Sequence, residues 1–504
     1  AGHNHPSLPF ATRRSRPAGR EDHGVLRPGA RTRLEEVLSL PGVAPPTASG
    51  AMAVESRADV RRVIFRLAWP VFAENILSTL TQVVGMIMVG RLGAAAITAV
   101  GLSFQPFFLV MGFFMGLGTG TTALVARFTG AGKPDDAARV THQSFLLAVG
   151  LAIVFTLLTM PLARPIVALM GAEPEVIVLG SQYLLWLIPG MLFMNVSMVL
   201  AGALRGAGDT RTPMWINVMI NLLNVAFCWV LIFGNLGFPA LGVVGAGLAA
   251  TLARVIGSVV LLAIMFSGRA AIGFDLKAFH PLSAFFKLDL EVVGRVIRIG
   301  VPAALERFVN SLGMLFYTRV VAGLGTAAFA AHSLALNVES LSYMPGIGFA
   351  VAATTLVGQN LGARRPDRAE SSGWECNRLA LWVMGTMGAV FFAFPAFLLR
   401  LYTPDAAVIA LGVIALRVVA FSQIPEAVGF VLSGALRGAG DTKSVLWITM
   451  AGVWVVRLGL SLVFVVWLRM GLFGAWLAMG LDWVVRALYL VIRFRSGLWK
   501  EVRV

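Results

Sequence analysis

The sequence predicts an all-α integral membrane protein with twelve transmembrane helices, arranged as two parallel six-helix repeats, an N-lobe and a C-lobe. Three observations predict this fold class. The 504 residues are 58% apolar and only 13% charged, whereas soluble domains carry about 25% charged residues. Apolar stretches long enough to cross about 30 Å of hydrocarbon recur along the chain. The second half of the sequence also repeats the first.

The segment 1–51 is predicted to be a disordered extension that does not belong to the membrane body. It combines Arg, His, Pro and Gly with acidic residues and contains no apolar run long enough for a signal peptide. Such a segment buries too little apolar surface to offset the entropy lost on ordering. The membrane body is therefore expected to begin near residue 60.

Twelve apolar stretches are predicted to span the membrane. Each is expected to be a helix, because lipid offers no hydrogen-bond partner to an open backbone amide. The mean hydropathy of the whole chain, +0.81, agrees with this density of spans. The predicted spans are 66–90, 95–125, 140–163, 176–203, 212–236, 242–268, 297–323, 327–357, 377–400, 408–435, 445–468 and 471–494.

An internal duplication divides these spans into two sets of six. A shift of 232 residues aligns Glu74 with Glu306, and it aligns the nine residues GALRGAGDT at Gly202–Thr210 with the same nine at Gly434–Thr442. Six spans per half give both halves one orientation, and parallel repeats of this kind place the substrate path between two bundles. We therefore predict an N-lobe over 60–268, a cytoplasmic connector over 269–296 that contains Lys277, His280 and Lys287, a C-lobe over 297–495 and a cytoplasmic tail over 496–504.

The positive charges predict how the chain is oriented. The net charge is +16, from 41 Lys and Arg against 25 Asp and Glu. These bases concentrate before span 1, at the C-terminus and in alternate connections, so the positive-inside rule places both termini in the cytoplasm at the cell inner (plasma) membrane. We attribute the charge to topology and expect no nucleic-acid partner. The opposite connections hold only Arg91, Arg164, Arg400 and Arg469.

Motifs for enzyme chemistry are absent from the sequence. Gly116, Gly118 and Gly120 resemble a glycine loop but lie within a span, where they favour helix packing. The segment Gly130–Lys133 continues into proline and lacks the Ser or Thr of a phosphate-binding loop. Two cysteines allow neither a disulfide framework nor a thiolate metal cluster. We expect no enzyme activity, no resident cofactor and no metal site.

Carboxylates within the predicted spans are the main candidates for function. A charge at mid-membrane costs about 2.5–3.5 kcal/mol, so each should face a partner or a wet cavity. Glu74 and Glu306 each lie four residues after a proline, and Glu426 directly follows one, which predicts an irregular, hydrated neighbourhood. Locked ion pairs are the alternative, Glu306 with Arg307 and Asp482 with Arg457 or Arg486. Glu339 on span 8 is a further buried acid open to either interpretation.

Span 5 has a stripe of amides. Asn217, Asn221 and Asn224 are spaced four and three residues apart and therefore share one helix face. The stripe predicts either a polar lining for a substrate cavity or hydrogen bonds between helices. Asp209 and Asp441 of the duplicated motif are expected to cap the helices that follow, with Arg205 and Arg437 anchoring the turn or the membrane surface.

These motifs together resemble the multidrug and toxic compound extrusion (MATE) family. The resemblance rests on the duplicated GALRGAGDT, on VGRLGAAA after span 1, on AGLGTAAFAAH after span 7 and on FAVAATTLVGQNLGA at 349–363. It covers about residues 60–495. It implies two six-helix lobes with alternating access, which export amphipathic and often cationic small molecules in exchange for H⁺ or Na⁺. The chain is expected to act as a monomer in the lipid bilayer.

The resemblance also ranks the candidate residues. Relatives have an acid on span 1 where this chain has Gly85, and a second on span 5 where it has Cys228. Span 10 matches the family's acidic segment at Gln423-Ile-Pro-Glu426. The predicted ion-coupling residues are therefore Glu426, then Glu306, with Glu74 in the N-lobe. The predicted substrate-cavity residues are Asn221, Asn224, Asn310, Asn337 and Tyr343.

Two other functions compete with drug export. A lipid-linked sugar flippase of related architecture would need a basic central cavity for pyrophosphate. A scaffold or receptor would need neither the repeat nor the buried acids. The location of the embedded arginines distinguishes the first alternative, and these are Arg254, Arg307, Arg319, Arg417, Arg457 and Arg486.

Overall fold

A computed structural model describes residues 57–502, except 171, 269 and 275–284, and leaves the side chains of 104–109 undescribed. The predicted disordered extension over 1–51 lies outside the described residues, as do Lys277 and His280 of the predicted connector. Everything below concerns the described residues.

Twelve long helices form the described part of the chain, one for each predicted span, which confirms the all-α membrane fold. Ten of them are long and apolar enough to cross a membrane, and α2 and α7 complete the set. They are α1 Arg57–Gly90, α2 Ala94–Gly130, α3 Pro134–Thr159, α4 Pro174–Gly206, α5 Arg211–Phe233, α6 Gly242–Phe266, α7 Leu290–Ala322, α8 Thr326–Gly362, α9 Pro366–Ala393, α10 Ala406–Gly438, α11 Thr442–Trp467 and α12 Gly471–Arg495.

The helices repeat with the period of the sequence. Helices α2 and α8 each have 37 residues, and α4 and α10 each have 33, so these pairs begin and end at equivalent positions. Even the short helices Ala163–Leu169 and Pro395–Arg400 fall at the same place in each half. Helix α11 is an exception, because it contains two π-helical stretches where α5 is regular.

Glycines of the duplicated motif let the helices of each half approach closely. The Thr122 hydroxyl on α2 donates to the Gly202 carbonyl on α4 at 2.8 Å, and Thr354 on α8 donates to Gly434 on α10 at the same distance. A Cβ atom at Gly202 would lie 2.8 Å from the Gly118 carbonyl oxygen, closer than real Cβ contacts come. Small residues at such crossings are typical of membrane helices, where close packing drives association.

The two halves are joined at the end that carries both GALRGAGDT turns, here called the inner end. The Arg127 guanidinium on α2 donates to the Ala439 carbonyl at 3.1 Å. Gln359 occupies the equivalent position on α8, and its amide donates to the Gly206 carbonyl at 2.9 Å. The Thr355 hydroxyl donates to the Arg205 carbonyl at 2.9 Å. We call Arg127, Thr355 and Gln359 with their three acceptors the inner clasp.

The segment before α7 and the segment after α12 also pack at the inner end. Asp289 caps α7 by accepting from the amides of Glu291 and Val292, and it pairs with Arg139 on α3. Partial desolvation raises the pKa of Asp289, but these amides and Arg139 outweigh it and hold that pKa below its ordinary value. In the predicted tail, the Trp499 side chain is fully buried and stacks on Phe494 at 4.7 Å.

Candidate functional site

Glu74 on α1 forms an ion pair with the duplicated motif. Arg205, in the last turn of α4, donates through Nη2 to both carboxylate oxygens at 2.9 and 2.8 Å. The Asn217 amide on α5 donates to the same carboxylate at 2.7 Å. The Glu74 side chain is only 15% exposed, so three helices converge on one largely buried charge.

Glu306 repeats this arrangement in the second half. Arg437 on α10 donates to its two oxygens at 2.5 and 3.2 Å, and the Thr449 hydroxyl on α11 lies 3.5 Å away. The expected pair with Arg307 is therefore wrong, since Arg437 is the partner. Of the two roles expected for Arg205 and Arg437, anchoring to the membrane surface is wrong, because both guanidiniums turn inward to compensate a buried carboxylate.

The proline before Glu74 explains one further contact. Pro70 has no N–H to donate to the Arg66 carbonyl one turn earlier. Thr210 is the last residue of the duplicated motif. Its hydroxyl lies 3.4 Å from the Arg66 carbonyl and donates to it instead. Helix α1 continues through Pro70, with this side chain replacing the missing backbone bond.

Glu426 lies in a different environment. Its side chain is 2% exposed on α10, and its Oε2 accepts from the Gln423 amide at 3.1 Å. The Gln423 carbonyl oxygen in turn accepts from the Ser342 hydroxyl on α8. Glu426 has no ion pair among the described residues, in contrast to Glu74 and Glu306.

Asp482 on α12 binds two arginines, as the ion-pair alternative predicted. Its Oδ2 accepts from Arg457 on α11 at 2.8 Å and from Arg486 at 2.5 Å, and all three side chains are at most 8% exposed. The Arg486 guanidinium also lies 4.0 Å from the ring centre of Trp483. Arg457 belongs to a π-helical stretch of α11, a conformation frequent at functional sites.

Glu339 completes a buried polar cluster in the second half. It is 3% exposed on α8 and forms neither a hydrogen bond nor an ion pair with the residues that the structure describes. Its charge is close enough to act on Glu426 and on Arg457. The buried polar cluster, as the term is used below, consists of Glu339, Ser342, Gln423, Glu426, Arg457, Asp482 and Arg486.

A cavity of about 460 Å³ lies in the first half, between α1 and α5. Its lining is apolar apart from Thr81 and Asn221, and it includes Trp229. Asn221 is thus the one predicted cavity residue that the structure places in this lining. Gly85, where the family resemblance implies an acid, lies on α1 next to the lining residue Val84. The residues that line the cavity include no carboxylate.

The other predicted cavity residues are dispersed. The Asn224 carbonyl oxygen lies 4.0 Å from the Cys228 thiol that donates to it. Asn310 and Asn337 are exposed, the latter donating to the Ser333 carbonyl of its own helix. Tyr343 is half-buried next to Ser342 and close to Glu339 and Glu426.

The embedded arginines are also dispersed. Arg457 and Arg486 both pair with Asp482. Arg254 interacts electrostatically with Tyr183 in the first half. The three other embedded arginines, Arg307, Arg319 and Arg417, are exposed. No group of three or more His, Cys, Asp or Glu within the described ranges has the geometry of a metal site.

The motif aspartates differ between the halves. Asp209 accepts from the backbone amides of Arg211 and Thr212, which confirms the predicted cap. Asp441 instead accepts from the Ser444 hydroxyl and pairs with Arg493 on α12 at 2.8 Å, so its expected role as a cap is wrong. A cationic partner from another helix competes with the local amides for the carboxylate.

Sequence reasoning missed the arginine partners of Glu74 and Glu306, although a signal existed. The motif arginine follows each glutamate by the same separation of 131 residues in both halves. Ser342 and His332 were also missed. Single polar residues on an apolar helix give no periodic signal, and their neighbours come from other helices.

Comparison with known proteins agrees with the fold. The MatE family model matches twice, at residues 70–230 and 302–463, once in each half. A probable multidrug resistance protein NorM of Thermotoga maritima is 32% identical over 447 residues, which cover 88% of this chain and 94% of that protein. Multidrug resistance protein MdtK of Pectobacterium atrosepticum is 30% identical, with 86% and 95% covered.

Solved structures have the same architecture. An outward-facing multidrug resistance MATE family transporter superimposes with a TM-score of 0.79 at 26% identity, covering 87% of this chain and 97% of that one. A MOP superfamily transporter from Pyrococcus furiosus gives a TM-score of 0.78 at 27% identity, with 87% and 96% covered. The repeated helices, the paired motif and these matches agree, and the chain belongs to the MATE family of membrane transporters.

Proposed function

We propose that the chain is a secondary active exporter of amphipathic, mainly cationic compounds, driven by an inward gradient of protons or sodium ions. The names of the relatives support drug export, since both are multidrug resistance proteins. The observation that carries the proposal is Glu426, a buried acid without an ion pair among the described residues. Ionisable groups inside membrane spans typically mark ion pathways.

The inner clasp supports alternating access. The hydrogen bonds of Arg127, Thr355 and Gln359 join the halves at the end that the charge pattern predicts to be cytoplasmic. Closure at that end corresponds to the outward-open stage of the cycle, in which a compound would leave to the outside. Export then requires the clasp to open and the outer ends of the helices to approach each other.

The α1–α5 cavity is the proposed site for the apolar part of the compound. About 460 Å³ is within the range of small-molecule pockets. Its apolar wall suits aromatic or aliphatic groups, while the Asn221 amide offers one hydrogen bond. Asn224, Asn310, Asn337 and Tyr343 remain proposed contacts for other stages of the cycle.

The three proposed coupling acids differ in which groups already bind their carboxylates. Glu426 can take up an ion directly, because only the Gln423 amide occupies its carboxylate. Glu306 and Glu74 remain candidates, but each must first leave Arg437 or Arg205. Exchange of an arginine for an ion at these acids would couple ion entry to movement of α4 or α10.

Efflux measurements on proteoliposomes test the proposal. A cationic fluorescent dye should leave the vesicles when the gradient of the coupling ion, proton or sodium, is imposed, and it should stay without any gradient. Glu426→Gln should lower gradient-driven efflux about a hundredfold or more, the lower range for loss of a proton-transfer group in enzymes. The amide keeps the shape and hydrogen bonds of the carboxylate but not its charge.

The control for this variant is Met194→Gln, at the position equivalent to Glu426 in the first half. It should transport the dye at a rate close to that of the unmodified protein. Unaltered efflux by Glu426→Gln would remove Glu426 from the coupling mechanism. Absence of dye efflux under both gradients would contradict the proposed function itself.

A further inference from the structure

The buried polar cluster contains one carboxylate more than it has guanidiniums. Glu339, Glu426 and Asp482 are each at most 3% exposed, and Arg457 and Arg486 are the two cations beside them. Two arginines on one Asp482 oxygen leave Glu339 and Glu426 as the acids without an ion pair. An uncompensated charge at this depth is costly, so the cluster needs one further positive charge.

Unsatisfied polar atoms extend from this cluster. Asp482 Oδ1 has no hydrogen-bond partner among the described residues, although Asp482 is 0% exposed. Neither ring nitrogen of His332 has one, at 1% exposure, and the same holds for the Trp476 indole nitrogen at 0%. Such groups in native proteins usually bind internal water.

His332 lies between the cluster and the outer end. It is six residues after the start of α8, at the end opposite to the inner clasp. Its ring is 5.8 Å from the ring of Tyr317 on α7 and 5.5 Å from that of Trp476 on α12, and the charge of Arg457 on α11 acts on it. Arg457 lies 5.8 Å from the Tyr317 ring centre, and its charge acts on both His332 and Glu339.

Helix α8 carries His332, Glu339 and Ser342 in order along its length. Glu339 follows His332 by seven residues, two helical turns and about 10 Å along the same buried face. Ser342 is one turn further, and its hydroxyl bonds Gln423, whose amide bonds Glu426. The polar side chains thus run from the outer end of α8 to the acid on α10.

We propose that Glu339 and Glu426 share one transported proton, which His332 relays from the outer end, so that the coupling ion is a proton. The inference rests on the proposed function. The proton leaves water at the outer end, passes the imidazole and binds one carboxylate oxygen of the pair. It later leaves that oxygen for water at the inner end, and no other bond forms or breaks. Chains of Asp, Glu and His are typical proton relays in membrane transporters.

The chemistry of the cluster favours a proton over sodium. A sodium ion needs several converging oxygen ligands, but the Gln423 carbonyl oxygen is occupied by Ser342, and the Gln423 nitrogen faces Glu426. A proton needs only one carboxylate oxygen, and two adjacent acids that share it titrate as a pair.

Proteoliposomes with a clamped membrane potential test the coupling ion. Dye efflux should follow an imposed pH gradient and should not respond to a sodium gradient at equal pH on both sides. Efflux driven by sodium alone would overturn the inference while leaving the proposed function intact. Failure of both gradients would contradict the proposed function, so the two failures are distinguishable.

Two variants test the residues. Glu339→Gln should slow pH-driven efflux by about tenfold or more, and it should lower the number of protons that the detergent-solubilised protein releases when dye is added. His332→Gln should slow efflux most when the outer solution is alkaline and protons are scarce. The matched control is His142→Gln, a histidine equally buried on α3 in the first half, which should change neither measurement.

Each result decides the inference. Proton release and efflux at the unmodified level in Glu339→Gln would remove Glu339 from the shared site. An unchanged pH profile in His332→Gln would remove the relay. Proton release is measured in detergent and needs no vesicles, so a variant that reconstitutes poorly still reports on the acid pair.

Discussion

The two halves of the molecule share one skeleton but differ in what occupies its interior. Both keep a glutamate bound by the motif arginine, Glu74 with Arg205 and Glu306 with Arg437. The buried polar cluster exists only in the second half of the described chain. The equivalent first-half positions are Phe107 for Glu339, Val110 for Ser342, Met191 for Gln423, Met194 for Glu426, Val225 for Arg457, Ala253 for Asp482 and Gly257 for Arg486.

This difference separates features that the repeated fold needs from features that serve the proposed function. The glutamate–arginine pairs persist in both halves, because each fixes the end of a motif helix to a neighbouring helix. The cluster and the α1–α5 cavity each belong to one half, so they are not required by the skeleton. The proposed function accordingly places ion uptake in the second half and the apolar part of the compound in the first.

Removing the central acid of the cluster should have the largest effect. Asp482→Asn removes the carboxylate that both Arg457 and Arg486 bind, and loss of one partner of a buried pair costs about 3–5 kcal/mol. Thermal unfolding of the detergent-solubilised protein, followed by tryptophan fluorescence, should show a clear fall in melting temperature. The double variant Asp482→Asn with Arg457→Val removes one arginine together with the acid, restores the excess of one carboxylate in the cluster, and should recover part of that loss. A melting temperature in Asp482→Asn equal to that of the unmodified protein would contradict the assigned pair.

The paired glutamates should respond equally in stability. Glu74→Gln and Glu306→Gln each leave a largely buried arginine without its carboxylate, which costs about 1–3 kcal/mol. Dye efflux of the two variants is then compared at equal amounts of folded protein. A larger loss in Glu306→Gln than in Glu74→Gln would mean that Glu306 also carries the ion. The control Glu74→Gln with Arg205→Gln removes both charges and should regain stability, which a purely steric defect would not allow.

Loss of one inner-clasp bond should have the smallest effect. Gln359→Ala removes its bond to the Gly206 carbonyl, worth about 0.5–1.5 kcal/mol. Spin labels introduced at Asp136 and Arg368, equivalent positions near the inner starts of α3 and α9, should report a larger population of long distances. Thr79→Ala removes a bond within α1 only and serves as the control. Unchanged distance distributions in Gln359→Ala would mean that its amide does not hold the halves together.

Much of the candidate site was predictable from residue type and the repeat. Buried acids stood out because a charged side chain within an apolar stretch is rare. The ion pairs Glu74–Arg205 and Glu306–Arg437 could have been predicted from their equal separation along the chain, but the sequence analysis did not predict them. Ser342, Gln423 and His332 could not be assigned partners, because their neighbours belong to helices distant in sequence.

The sequence by itself determined the membrane class, the twelve helices and the duplication, because these follow from apolar length and from a shift of the chain against itself. The tertiary structure decided which acids are neutralised and which are not. Glu74, Glu306 and Glu426 look alike in sequence, each near a proline. Only the crossing of α4, α10 and α12 with their neighbours brings arginines to Glu74, Glu306 and Asp482 and leaves Glu426 with an amide. The free energy of a buried charge depends on its nearest counter-charge, and that distance is fixed by packing.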